Sequence, residues 1–187
     1  LFRQGSPLVR EKTLAAAGDA PTVISNDELV DTIERQDPLA PQATLLIGSR
    51  RAPGVAPMLR RLLDHADPAQ QAAAAVALRG LREDDELDGE RRLRELLRST
   101  DPVHLEAALT AARHEPESVP GDVLLAALAG DSSAVRLAAL RVVDAAPRRA
   151  LLPAVVQALG DRETRVAARS VLRSFGEDDA LYDLNRA

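Results

Sequence analysis

Cysteine and tryptophan are absent from this 187-residue chain, and only 2% of its residues are aromatic. Without cysteine the protein can form neither disulfides nor thiolate metal sites, and it has no thiol nucleophile. The scarcity of aromatic rings disfavours sites that stack on nucleic-acid bases or on sugars. The core must therefore be built from Ala, Leu and Val, which suits closely packed helices.

Lysine is almost absent as well, since Lys12 is the only one, and the 24 basic residues are interleaved with 29 acidic ones for a net charge of −5. This charge balance does not indicate a nucleic-acid partner. The longest apolar runs, 72–78 and 123–129, fall well short of the roughly 20 residues that cross a bilayer. We expect no nucleic-acid partner and no membrane insertion of this segment. The lack of cysteine leaves the compartment open, with the cytoplasm favoured.

A self-similar step of about thirty residues runs through the chain. Each step carries a turn residue, often followed by Pro, and then an Ala-rich stretch with helical spacing. We call these turn residues the markers: Ser6, Asp37, Asp67, Asp101, Asp131 and Asp161. Apolar residues at helical spacing also precede the markers, so each step predicts a helix, a tight turn and a second helix.

The markers carry the chemistry of a helix start. An Asp at this position can accept hydrogen bonds from free backbone N–H groups, and the Pro of Asp37-Pro38, Asp67-Pro68 and Asp101-Pro102 would occupy the first helical position. In the unit at Asp131 the small pair Ala138-Ala139 is displaced by one residue, which predicts a helix that starts one residue later.

The pattern predicts an all-α fold, a right-handed α-solenoid of about five helical hairpins, as one array over residues 1–187. A partial N-terminal unit implies that more protein precedes it, because a solenoid needs a polar terminal cap. The acidic run 82–90 is expected to be an exposed loop, either a plain linker or a docking loop for a basic partner. The predicted units are 1–18 (partial), 26–52, 53–81, 89–115, 120–146 and 148–176, with a capping segment at 177–187.

Two units carry a family resemblance most clearly, Asp131–Ala139 with its Val-Arg and Ala-Ala pairs, and Asp161–Ala168 with Arg-Val and Ala-Ala. This pattern resembles the short HEAT-like repeat named after the phycobilisome lyases. The units at Asp37 and Asp101 depart from it, with Pro41 and Leu105 at the Arg position. The resemblance implies a helical-repeat fold, and it implies little about activity, because such repeats occur in lyases, in scaffolds and as appendages of larger proteins.

Arginines are the main candidates for a role within the repeat. Arg10, Arg136 and Arg165 follow their markers by four or five residues, where each could bridge to the Asp of a neighbouring unit and form an inter-repeat ladder. A ligand-facing role is the alternative. The doublets are expected to be solvated helix ends: Arg50-Arg51, Arg60-Arg61, Arg91-Arg92 and Arg148-Arg149.

No catalytic, cofactor-binding or metal-binding constellation is visible. The histidines, His65, His104 and His114, fall at different positions relative to the markers, so the repeat does not gather them, and phosphate loops and nucleophile motifs are missing. We therefore expect a non-catalytic scaffold or regulatory segment of a larger protein that binds a protein partner, with its oligomeric state open.

Two other functions remain as alternatives. A phycobilin lyase-like, chromophore-handling protein is permitted by the resemblance, and it predicts an absorbance shift on mixing with a bilin. DNA binding of the kind seen in HEAT-like alkylation-repair glycosylases would need aromatic residues and a basic groove, which the composition does not supply.

Overall fold

A computed structural model describes residues 6–17, 24–81 and 83–175, and within these residues the chain is helical with no β-strand. The prediction of an all-α fold is thereby confirmed. Short 3₁₀ segments lie at Pro116–Ser118, Arg149–Leu151 and Ala158–Gly160. The α-helices are α1 (Pro7–Ala17), α2 (Asn26–Glu34), α3 (Ala40–Ser49), α4 (Ala56–Leu62), α5 (Pro68–Arg79), α6 (Glu83–Leu97), α7 (Pro102–Ala112), α8 (Gly121–Ala129), α9 (Ser133–Ala145), α10 (Leu152–Gln157) and α11 (Arg165–Ser174).

The chain divides into two compact units, Leu1–Arg94 and Glu95–Ala187. In the first unit α3 packs against α2 and α5, and α4 packs against α5. In the second unit α9 packs against α7, α8 and α11, and α10 packs against α8 and α11. The single array over residues 1–187 stays a prediction, and the expected capping segment, 177–187, lies outside the described residues.

Helix α5 forms the centre of the first unit, because every residue from Gln70 to Leu78 is buried. Six of these nine residues, from Ala72 to Ala77, are Ala or Val and have small side chains. Small side chains allow neighbouring backbones to approach closely, and dispersion contacts then replace the area that larger side chains would bury. The expectation of closely packed, Ala-rich helices describes this core well.

Glycines mark the two closest approaches to α5. A Cβ added to Gly48 of α3 would lie 2.4 Å from Cβ of Ala77 and 2.6 Å from its Cα. A Cβ added to Gly89 of α6 would lie 2.4 Å from the Ala75 carbonyl oxygen. Both distances are shorter than non-bonded atoms tolerate, so only glycine fits where α3 and α6 meet α5.

The helix starts follow the markers closely in three hairpins. Asp67 and Asp101 are N-cap residues whose carboxylates accept from Ala69 N–H and Val103 N–H, each at 2.9 Å, and Pro68 and Pro102 occupy the first helical position. In the unit at Asp131, Ser132 is the N-cap and α9 begins at Ser133. The predicted displacement by one residue is confirmed.

The prediction for Pro38 is wrong, because it lies in a turn and α3 begins at Ala40. Asp37 caps this turn by accepting from Leu39 N–H at 3.0 Å. The delay has a covalent cause. Pro41 has no N–H to donate to the Asp37 carbonyl, so the helical ladder begins with the bond from Ala43 N–H to Leu39 O at 3.0 Å.

The prediction of a loop over residues 82–90 is also wrong, since residues 83–97 form α6. An acidic composition favours solvent exposure, but it does not exclude a helix. Leu93, Leu96 and Leu97 supply a buried stripe at helical spacing, and Gly89 permits the close approach to α5.

Replacing Gly48 by Ala tests the close approach of α3 and α5. We expect Gly48→Ala to lower the free energy of unfolding by about 1–3 kcal/mol, because the added methyl group overlaps Ala77 and the helices must separate. Urea denaturation followed by far-UV circular dichroism measures this change. Gly121→Ala is the matched control: no atom lies within 4 Å of the added Cβ, so its stability should be equal or higher. A Gly48→Ala protein as stable as the parent would contradict the packing described here.

Candidate functional site

Two of the three ladder candidates form ion pairs with the marker of the following hairpin. Arg10 of α1 lies 2.8 Å from Asp37, and Arg136 of α9 lies 2.5 Å from Asp161. Both pairs are partly shielded, with side-chain exposures of 18% to 34%. Each joins a second helix to the turn of the next hairpin, which is the geometry that the ladder hypothesis requires.

Arg136 and Arg165 also share a contact that the sequence did not indicate. Arg136 donates to the Gly130 carbonyl at 2.7 Å, and Arg165 donates to the Leu159 carbonyl at 2.9 Å. In each case the acceptor lies six residues earlier, at the end of the first helix of the same hairpin. Gln71 makes the same type of bond to the His65 carbonyl. These side chains satisfy carbonyls that the first helix leaves free.

The arginine doublets contribute further ties between elements. Arg50 donates to the Ile24 carbonyl at 2.6 Å and to the Ala17 carbonyl at 3.3 Å, while Arg148 donates to the Val119 and Pro116 carbonyls at 2.6 Å each. The expectation of solvated helix ends is therefore wrong for these two residues. Their half-buried guanidinium groups hold the segments that connect successive hairpins.

The histidines are not gathered into a site. His65 accepts from Asp67 N–H through Nδ1 at 3.0 Å, and His104 Nδ1 lies 2.9 Å from Asp101. Desolvation lowers the pKa of His114, and the Arg113 charge lowers it further. In the part of the chain that the structure describes, no three His, Asp or Glu side chains converge as metal ligands would. Within the same part, no helix has the length and hydropathy needed to cross a membrane.

An open groove of about 450 Å³ lies in the first unit, between the turns of the α2–α3 and α4–α5 hairpins. Part of its lining is apolar, with Met58 and Leu62 of α4 and Ile33 of α2. Its size falls within the range of ligand pockets in proteins. The lining residues are Ile33, Glu34, Gln36, Asp37, Pro38, Ala40, Pro41, Met58, Arg61, Leu62, His65, Asp67 and Gln70.

Carboxylates and a buried amide are among the polar groups of the groove. Gln70 is 3% exposed and donates to Thr44 Oγ1 at 2.7 Å, but its Oε1 accepts no hydrogen bond among the described residues. Asp67 uses one carboxylate oxygen for its cap. Glu34 is exposed and has no ion-pair partner in the described part of the chain. Sequence reasoning missed this groove, because its residues come from two hairpins.

A second surface feature recurs at the start of the second helices. The second residue of each is apolar, and three of them are among the most exposed large apolar side chains that the structure describes: Leu8 at 60%, Val103 at 57% and Val166 at 78%. Ala134 of α9 is exposed at the same position. The full set, which we call the N2 row, is Leu8, Pro41, Ala69, Val103, Ala134 and Val166.

Hydrogen bonds keep three marker carboxylates ionised. The Glu163 N–H and the Arg136 guanidinium lower the pKa of Asp161 despite partial desolvation. The Val103 N–H and His104 lower the pKa of Asp101. Burial acts to raise the pKa of Asp37, but the Leu39 N–H and Arg10 outweigh it, so that this pKa is lowered as well.

These directions predict an acid-sensitive fold. A carboxyl group whose pKa is lower in the folded than in the unfolded protein stabilises the fold above its ordinary pKa of 3.8, and this stabilisation disappears as the pH falls through the folded-state pKa. Asp161→Asn should therefore lower the urea midpoint at pH 7, and the difference from the parent should shrink between pH 5 and pH 3. Asp64→Asn, an exposed position that follows the end of α4, is the control. A difference for Asp161→Asn that stays constant over this range would contradict the role of the charge.

Comparisons with known proteins do not extend these observations. No protein-family model matches the chain, no curated protein resembles it in sequence, and no solved structure matches its fold. The function of this protein is therefore inferred from its helices, its groove and its exposed surface.

Proposed function

We propose that this chain is a HEAT-like helical-repeat module that binds another protein and is not an enzyme. It would act as a scaffold or as the regulatory segment of a larger protein. The N2 row is the observation that carries the proposal, since it places an apolar side chain at one structural position in every hairpin.

The packing within each unit supports the repeat interpretation. Second helices pack on second helices, α3 on α5 in the first unit and α9 on α7 and α11 in the second. The ion pairs from Arg10 to Asp37 and from Arg136 to Asp161 connect equivalent points of successive hairpins. Repeated hairpins of this kind present side chains at fixed intervals on one face, which suits an elongated partner.

The exposure of the N2 row supports a binding role for that face. Single exposed apolar residues are common on soluble proteins and need no explanation. Here they recur at one position, and in the second unit Val103, Ala134 and Val166 begin helices that pack side by side. Neighbouring helices lie about 8–10 Å apart, so these side chains form a row. Apolar rows rimmed by charges are typical of protein interfaces.

Site-specific photocrosslinking tests the proposal. We expect benzoylphenylalanine at Val103 or Val166 to give discrete adducts with another polypeptide when the full chain is irradiated in the cells that produce it. Arg141 supplies the control position, since it is exposed on α9 and lies outside the N2 row. The proposal fails if Val103 and Val166 yield no more adducts than Arg141 does in a protein whose circular dichroism matches the parent.

A further inference from the structure

The groove of the first unit has a polarity that selects a particular type of ligand. Two carboxylates in its lining have acceptor capacity that no donor among the described residues uses: the second oxygen of Asp67 and the carboxylate of Glu34. Carboxylate oxygens gain from a ligand that brings N–H groups, and they gain more when that ligand is positively charged. The groove is therefore matched to a donor-rich ligand.

The charges of the lining point the same way. Asp37 is already neutralised by Arg10 at 2.8 Å, which leaves Glu34 and Asp67 as carboxylates without a cation among the described residues. Arg61 is the one arginine in the lining, and it is exposed. The local surplus is negative, in keeping with the net charge of −5 for the chain. A cationic group would be attracted to this groove.

The apolar residues of the lining favour a ligand with an apolar stem. Met58, Leu62 and Ile33 can cover the methylene stem of a long side chain, while its charged end reaches the acceptors. A guanidinium group carries five N–H donors in a planar fork, and it can therefore serve several acceptors that lie in different directions. An arginine side chain meets these requirements better than the compact ammonium group of lysine.

We propose that this groove binds an arginine side chain of the partner polypeptide. The inference rests on the proposed protein-binding function and adds the chemistry of the partner. Pro41, the second residue of α3 and a member of the N2 row, also lines the groove. A partner segment in contact with Pro41 would thus also meet the groove, whereas free arginine would lack that contact.

Met58 makes the site directly observable, because it is the only methionine in the chain. The 187-residue chain, labelled with ¹³C at the methionine methyl group, is titrated with the capped peptide Ac-Ala-Arg-Ala-NH₂. We expect a saturable shift of the Met58 signal. The citrulline peptide keeps the shape but loses the charge, and it should bind about twofold to fivefold more weakly, as should free arginine and the corresponding glutamate peptide.

Charge variants of the groove lining should change the affinity for the arginine peptide in opposite directions. Glu34→Gln and Asp67→Asn should each weaken binding of the arginine peptide about twofold to fivefold, and Asn retains the helix cap at position 67. Arg61→Gln should strengthen binding by a similar factor, because it removes a like charge. Glu163→Gln, exposed in the second unit, should change nothing. Circular dichroism of each variant checks that the fold is retained.

Several outcomes would overturn the inference. The groove is not an arginine site if Met58 does not respond, if citrulline or glutamate binds as well as arginine, or if Arg61→Gln weakens binding. Equal affinity for free arginine and the peptide would overturn the assignment to a polypeptide. Crosslinks at Val103 and Val166 of the second unit report on the proposed function independently of these results, so failure of the groove leaves that function standing.

Discussion

Close approach between alanine-rich helices is the constraint on which the rest of this structure depends. Alanine buries little apolar area, so a core made largely of it is stable only where backbones come near enough for many dispersion contacts. In the first unit α5 is buried from Gln70 to Leu78, and Gly48 and Gly89 remove the side chains that would hold its neighbours away. Because the helices must approach closely, the turns between them must fix the position of each helix accurately.

Long polar side chains supply that precision. Arg50 and Arg148 bind carbonyls of the connecting segments, and Arg136 joins the end of α8 to the turn before α11. These guanidinium groups satisfy main-chain acceptors at helix ends and in connecting segments. They thus hold neighbouring elements together, whereas the carboxylates of Glu34 and Asp67 in the groove of the first unit have no cation among the described residues.

Local chemistry explains what the sequence could predict. An N-cap such as Asp67 or Asp101 acts within three residues, and the displaced pair Ala138-Ala139 correctly located the start of α9. The prediction for Pro38 fails because Pro41 lacks the N–H that a helix starting at Pro38 would use. The loop prediction fails for residues 83–90 because their acidity is visible in the sequence, whereas the packing of Gly89 against α5 is not. The groove could not be predicted, since no repeat position marks Glu34, Met58 and Gln70 as neighbours.

Under the proposed function, the N2 row and the groove would have different roles in recognising the partner. The N2 row offers apolar contact at every hairpin, so it can hold many partner sequences with little discrimination between them. The groove differs from the row because its carboxylates, Glu34 and Asp67, favour a ligand that brings a positive charge. Affinity would then arise from apolar contacts at members of the row, and selectivity from the groove that Pro41 adjoins in the first unit.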